Sequence, residues 1–493
     1  MPAIAKTVYA LLLCFCLLSN AIAQPAPQQE DDLLPKDYLT KEFHAGRRDA
    51  LRSNMPANSV TVIFAYPTRN FSNDVDYFFH QNPDMYYFSG YKEPHSMLLV
   101  FKDDQTDSAG NKFNEILFVQ KRNAQAEQWT GRRLGTEGAK EKLGFRAVMN
   151  GEDFAKFNID FSKFDKILLD RLPEDVSDSP RDKADLFDLI QQFREKSAMP
   201  DKLADQQKFD TKLFRDITAS LREIKTREEM LLIRKAVEIS CQGQNEVMKV
   251  VRPDMSELEI QGLHEFVHKK YGAEGVGYGS IIGAGENGCV LHYMENTKTK
   301  IGNELLLMDV GAEYHGYTAD VTRTIPAHGK FSKEERQIYQ IVYDAQEAAF
   351  KTLKNGAKWK DADSAARQTV ADGLIRLGII KEKSEVRKYF PHGLGHHIGL
   401  DVHDRGTYTT MKKDMVITIE PGIYIPAGSN CDKKWWSIAV RIEDDALVTE
   451  NGYELLSAFA PRSIDEIEKM IAQKSPLDNF KLAPLKSGEK KGF

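Results

Sequence analysis

The chain has 493 residues, 41% of them hydrophobic and 28% charged, with a formal net charge of −6. That length supplies two or three domains with large cores, and the composition is that of a globular protein. The acidic balance argues against nucleic acid as a partner.

Residues 1–23 read as a secretory signal peptide. Lys6 gives a thin positive start, Val8 to Leu18 is apolar but too short to span a bilayer, and Ala21-Ile22-Ala23 is a small-x-small cleavage signal before Gln24. The predicted product is exported, periplasmic or secreted, with no stable membrane anchor after cleavage. Three cysteines remain in it, Cys241, Cys289 and Cys431. They are too few and too scattered for a disulfide scaffold, and no bridge is expected. Residues 24–40, rich in Pro, Gln and Asp, read as a flexible leader.

Next comes an alternation of helix and strand. Phe43–Met55 and Arg181–Lys196 read as helices; Ser59–Ala65, Ser96–Phe101, Glu115–Gln120 and Lys166–Asp170 read as strands. This predicts an α/β domain over residues 41–215. Within it, the aromatic-dense stretch Gln81 to Tyr91 reads as core. Trp129, in the polar, glycine-bearing stretch Trp129–Gly135, reads as packing. A polar run over 198–225 marks a boundary. Capping boxes at Thr226–Glu229 and Ser332–Glu335 open helices to about Val250 and Lys354, and further helices span Ser256–Lys270 and Lys360–Leu377. The blocks around 230–325 and 335–445 have similar make-up, which predicts a pseudo-duplicated α+β domain over 216–470. The tail, 471–493, with Lys486, Lys490 and Lys491, reads as disordered.

Leu305 to Pro326 organises the second domain. An apolar run ends in Asp309, a turn lies between Gly311 and Gly316, and a second run, Tyr317 to Ile325, carries Asp320. This predicts a β-hairpin with one Asp on each arm. Pairing Asp309 with Thr318 sets Asp320 opposite Leu307 and diagonal to Asp309 on one face, within reach of a shared ligand. Two such carboxylates repel unless a cation neutralises them or one keeps its proton. Taken alone, the pair is no more than two turn-flanking aspartates.

Downstream residues change that. His392, His396, His397 and His403 cluster among Gly393, Gly395 and Gly399, where the backbone can approach a ligand. Met415–Glu420 is a strand ending in a carboxylate before Pro421. Ser437–Asp444 alternates, with Ile438, Val440 and Ile442 on one face and Arg441 and Glu443 on the other. Asp309, Asp320, His396, Glu420 and Glu443 offer four hard oxygen donors and one imidazole. That set suits two divalent cations, Mn²⁺ first, with Co²⁺ or Zn²⁺ acceptable. Two cations about 3.5–4 Å apart hold a water, lower its pKa and polarise a carbonyl.

The order Asp, Asp, His, Glu, Glu resembles the pita-bread metallopeptidases, and within them the aminopeptidase P family of Xaa-Pro aminopeptidases. Gly283–Asn296, Ala126–Gly135 and Tyr86–Gly90 are similar to that family's local signatures. The resemblance implies an α/β N-terminal domain of the creatinase/aminopeptidase P type before a pita-bread catalytic domain. It also implies release of the first residue from peptides with proline second, by a metal-bridging hydroxide. On this resemblance Asp309 chelates one metal, Asp320 and Glu443 bridge, and His396 and Glu420 complete the second site. Glu420 is also the general base. His292, His392 and His403 hold the substrate backbone and stabilise the tetrahedral intermediate. Tyr278, Tyr424 and Arg441 lie beside the site, toward the proline pocket. Trp129 matches a residue that reaches a neighbouring subunit's pocket, implying a dimer or tetramer. His397 has no matching role and is expected to be exposed. The rival readings are a prolidase-type dipeptidase on the same metals, an inactive pita-bread binding protein, and a metal-free creatinase type. The intact ligand set argues against the last two.

Overall fold

A computed structural model describes residues 38–479 and 482, apart from 108–109, 181 and 202–206. The predicted signal peptide, the leader up to residue 37 and most of the tail beyond 479 lie outside the described residues. Among the described residues no helix is long and apolar enough to cross a membrane, and Cys241, Cys289 and Cys431 are all free.

Thr40 opens α1 (Lys41–Asn54) by accepting the Phe43 N–H, a cap worth about 1 kcal/mol. The sheet that follows has strands β1 (Ser59–Phe64), β2 (Met97–Thr106), β3 (Lys112–Val119), β4 (Val148–Asn150), β5 (Lys166–Leu168) and β6 (Phe209–Asp210), in spatial order β4-β3-β2-β1-β5-β6. β1 pairs antiparallel with β2 and parallel with β5. All six of its residues are buried, so its Val-Thr-Val-Ile-Phe run fills both faces. The aromatic stretch forms α2 (Pro83–Ser89), capped by Asn82, ended by Gly90 and wholly buried. Core was the correct reading for it.

Trp129 departs from expectation. It sits near the end of a short helix, α3 (Ala124–Thr130), capped by Asn123 and stopped by Gly131, before the loop 131–134, and the indole is 86% exposed. Packing within its own chain is therefore excluded. After α4 (Gly135–Leu143), the predicted helix from 181 starts later, as α5 (Leu186–Ser197), because Asp185 takes the N-cap by accepting the Asp188 N–H. α6 (Thr211–Arg222) crosses the predicted boundary between the domains.

In the second half, both predicted capping boxes form, at α7 (Arg227–Val250) and at α9 (Lys333–Phe350). α8 (Glu257–Lys270) and α10 (Trp359–Arg376) are their partners. β7 (Ile281–Ala284), β8 (Leu305–Val310) and β9 (Val321–Pro326) make one antiparallel sheet. β10 (Val416–Ile419), β11 (Gly422–Ile425), β12 (Ile438–Arg441) and β13 (Asp444–Val448) pair as β10 with β13 and β11 with β12. The two helix–strand blocks share one core, with Val247, Leu306 and Ile325 from the first meeting Ile341, Ile417 and Val440 from the second. Truncating a fully buried residue such as Leu306 to alanine there costs about 2–5 kcal/mol.

Three local expectations need correction. Ser437–Asp444 is not one strand: pairing passes from β11 to β10 at Ile442-Glu443, where the Glu443 N–H bonds Thr322 O at 3.1 Å. The leader is anchored at its end, where Tyr38 stacks on His315 (3.6 Å between centroids) and its hydroxyl donates to Glu274 at 2.9 Å. The tail is ordered past 471. After α11 (Ile464–Ile471), buried Ser475 donates to Glu246 at 2.5 Å, and a short 3-10 turn runs over Pro476–Asn479.

Candidate metal centre

The β8–β9 hairpin turns at His315-Gly316, both at positive φ (53° and 85°), as a two-residue hairpin turn requires. Asp309 therefore faces Thr322 rather than the predicted Thr318. The correction is four residues, an even number, so no side chain changes face. Asp320 remains diagonal to Asp309, two residues from its partner. The Tyr278 hydroxyl joins them, 2.5 Å from Asp309 Oδ1 and 2.6 Å from Asp320 Oδ1. Gly311 permits this crossing: a Cβ there would stand 1.9 Å from Ala319 O and 2.8 Å from the Tyr278 ring.

His396 enters from the other block. Its main chain is pinned to β10, with Thr418 Oγ1 accepting its N–H at 3.0 Å and its carbonyl accepting Thr418 N–H at 2.9 Å. Nδ1 lies 3.1 Å from His397 O, which assigns the ring proton to Nδ1 and leaves Nε2 free as a donor to metal. Nε2 is 3.5 Å from Asp320, 3.6 Å from Glu420 and 3.9 Å from Glu443. Glu420 sits just past the end of β10, its N–H on Leu394 O at 2.8 Å. Glu443 stands in the break between β12 and β13; one oxygen accepts the Thr322 hydroxyl at 2.6 Å. Thr322 and Asp445, which accepts the Asp320 N–H at 3.0 Å, were not singled out from sequence. Alternation along β9 could have found Thr322, which shares a face with Thr324 and Asp320.

The electrostatics are lopsided. Burial raises the Asp309 pKa, but the Arg441 guanidinium 2.6 Å away outweighs it and holds the group below its usual value. Asp320 is pushed well up by burial and by the charges of Asp309 and Asp445; Glu443 is pushed well up by burial and by Asp320 and Glu420. Burial takes Glu420 up to about 7. Ligand atoms of Asp320, His396 and Glu443 lie within 4.8 Å of one another, and Glu443 Oε1 is buried without a hydrogen-bond partner. A divalent cation fits that set, since it satisfies the orphaned oxygen and stabilises the carboxylates as anions.

Beyond the ligands, Arg441 donates to Tyr424 OH at 2.9 Å, and that hydroxyl lies 2.8 Å from His392 Nε2. Burial and Arg441 keep His392 neutral, with a pKa near 4. A cavity of about 570 Å³ opens on the centre, lined also by His292, His392, His403, Tyr278, Val402 and Tyr408. Tyr424 is not in its lining; it stands behind Arg441 and His392, so it is no wall of the cavity. Trp129 is likewise absent from the lining. His397 contradicts its expected exposure: it is fully buried, 2.9 Å from Thr407 O and packed against Trp359 and Tyr408. Neighbouring residues face opposite ways, and the side away from the metal centre is core rather than solvent.

Residues 232–450 match the model of metallopeptidase family M24, and residues 44–165 that of the aminopeptidase P N-terminal domain. The chain is 34% identical to the Xaa-Pro aminopeptidase of Escherichia coli K12 over 448 residues, 88% of this chain and 98% of that one. The chain belongs to the aminopeptidase P branch of family M24. It is therefore a pita-bread metallopeptidase with the family's added N-terminal domain. It is also 28% identical to the mitochondrial intermediate cleaving peptidase 55 of Arabidopsis thaliana, over 96% of this chain and 92% of that one. Among solved structures, it is similar to E. coli aminopeptidase P with the inhibitor Pro-Leu, at TM-score 0.77 and 31% identity over 88% of this chain and 98% of that one. The zinc-substituted form of that enzyme with product matches equally well, at TM-score 0.77.

Proposed function

We propose that this protein is a dinuclear-metal aminopeptidase that releases the first residue of peptides with proline second. The observation that carries this is the convergence of Asp309, Asp320, His396, Glu420 and Glu443 on one wall of a peptide-sized cavity, in a chain 34% identical to an Xaa-Pro aminopeptidase. Asp309 would help hold one cation and His396 and Glu420 the other, with Asp320 and Glu443 shared between them. Bound there, two divalent cations lower the pKa of a water and polarise the scissile carbonyl. The hard donor set favours Mn²⁺, with Co²⁺ or Zn²⁺ acceptable.

The chain's own groups do the rest. Glu420, partly open to the cavity, takes a proton and returns it to the leaving amine. His292 and His403, exposed at the cavity, offer donors to the substrate backbone and to the developing oxyanion, while His392, its two ring nitrogens taken by Gly393 O and Tyr424 OH, lines the cavity beside them. Asp309, ionised beside Arg441, meets the free amino terminus. Leu291, Met294, Val402 and Tyr408 supply apolar wall for a proline ring, which brings no N–H to satisfy.

The exposure of Trp129 supports a dimer or tetramer in which it caps a neighbour's cavity. The predicted signal peptide over residues 1–23 supports export, which sequencing the mature N-terminus tests. The function itself is tested with Xaa-Pro-Yaa, Xaa-Ala-Yaa and Xaa-Pro substrates. Cleavage of the first alone is expected; comparable rates with alanine overturn the specificity, and cleavage confined to dipeptides makes the protein a prolidase.

A further inference from the structure

His403 reaches the metal centre from the loop Gly399–Arg405, its ring 4.3 Å from that of His396. The loop's main chain is tied within the catalytic domain: Thr318 N–H bonds Gly399 O at 2.8 Å, and Asp404 N–H bonds His397 O at 2.9 Å. Its side chains are tied elsewhere. Arg222, the last residue of α6 and 1% exposed, donates to Asp84 of α2 at 2.9 Å and to Asp401 at 3.3 Å, and pairs with Asp404. Lys225 Nζ meets the other oxygen of Asp404 at 3.0 Å. Arg405 lies 3.1 Å from the second oxygen of Asp84, pairs with Asp170 and donates to Thr218 at 2.8 Å.

One buried carboxylate of the N-terminal domain thus accepts both the arginine that grips the His403 loop and an arginine that belongs to it. The loop is shaped for this seat: a Cβ on Gly399 would stand 2.1 Å from Asp404 Oδ2 and 2.7 Å from Lys225 Nζ. We infer that Asp84 is a positioning residue, through which the N-terminal domain fixes His403 over the metal centre. The inference rests on the proposed role of His403. Its physical basis is that a donor displaced by about 1 Å no longer meets the reacting atoms. None of Asp84, Arg222 or Arg405 lines the cavity, so their effect on turnover has to pass through the loop.

The test is a double-mutant cycle with two readouts, on Mn²⁺-loaded enzyme whose metal content and melting temperature are measured. In the first, Asp84→Asn is combined with His403→Ala on an Xaa-Pro-Yaa peptide. Asp84→Asn alone is expected to lower kcat about tenfold with little change in KM, and to do so by less than about twofold once His403 is alanine. The same fold-loss in both backgrounds, or no loss in either, overturns the inference. Arg405→Gln, at a partly exposed site, runs the same cycle should Asp84→Asn not fold. The second readout needs no substrate: amide exchange over residues 399–405 is expected to accelerate in Asp84→Asn relative to the rest of the catalytic domain. Unchanged exchange there also overturns it. A wild-type enzyme inactive on proline peptides, with accelerated loop exchange in the variant, would instead point to failure of the proposed function.

Discussion

Arg441 and Asp309 form the one strong ion pair between a side-chain cation and a carboxylate of the metal centre among the described residues, at 2.6 Å. Arg441 stands farther from Glu443, at 4.0 Å, and burial first, then neighbouring carboxylates, push Asp320, Glu420 and Glu443 up. Without metal, then, folding takes up protons at this centre. A carboxylate with a raised folded pKa stabilises the fold below its unfolded pKa and loses that contribution as pH rises through the folded value. The melting temperature of the metal-free protein should therefore fall between pH 5 and pH 8 relative to that of metal-free Glu420→Gln, the Glu420 share of the loss lying between its ordinary value of 4.5 and about 7. Mn²⁺ should remove most of that slope. Melting curves of both proteins at both pH values, with and without metal, decide it; the same pH change in metal-free wild type and metal-free Glu420→Gln would contradict the description of the cluster.

Chelation should abolish peptidase activity and Mn²⁺ should restore it. The measurement is activity alongside metal content per chain. Full activity in protein shown to hold no divalent metal would end the mechanism.

Glu420→Gln keeps the shape of the side chain and removes the base. The turnover number should fall by about 10²-fold or more. Metal analysis must accompany the assay, because Gln is a poorer ligand. Near-normal kcat with both cations bound would move the proton-transfer role elsewhere.

Tyr278→Phe deletes the hydroxyl shared by Asp309 and Asp320 and leaves the ring in place. Metal affinity should drop by roughly 10- to 100-fold, the usual effect of losing a group that orients a ligand. Calorimetric titration of the metal-free variant provides the test, and wild-type affinity would show that the two strands alone align the carboxylates.

Trp129→Ala should raise KM for tripeptides and longer substrates, with the fold intact, if the indole caps a neighbour's cavity. Sedimentation analysis should show an oligomer. A monomer with unchanged KM would leave this exposed tryptophan without a function.

Strand alternation set Asp309 and Asp320 on one face even though the predicted register was wrong. The four-residue error in the β8–β9 hairpin cost nothing, since parity survived it. Where misreading occurred, the partner was remote or the face ambiguous. Asp84 and Arg222 are 138 residues apart, and neither periodicity nor spacing in either segment points to the other. His397 looked exposed because nothing local reports that Trp359 and Tyr408 cover its side of the chain. The Arg441–Glu443 alternation looked like one strand, whereas the two residues sit, buried, at a crossover between two strand pairs.

The hydroxyl of Ser475 bears on how the protein can be shortened. It caps the carboxylate of Glu246, which Lys249 also meets at 2.7 Å on the same helix. A chain ending at Ile471, the end of α11, would leave that carboxylate only Lys249 and Gln242 of its own helix and expose the underside of α7. A chain ending after Asn479 would keep the cap. Tags, fusions and limited proteolysis at the carboxyl end should accordingly be tolerated beyond residue 479 and should lower solubility and expression when they remove residue 475.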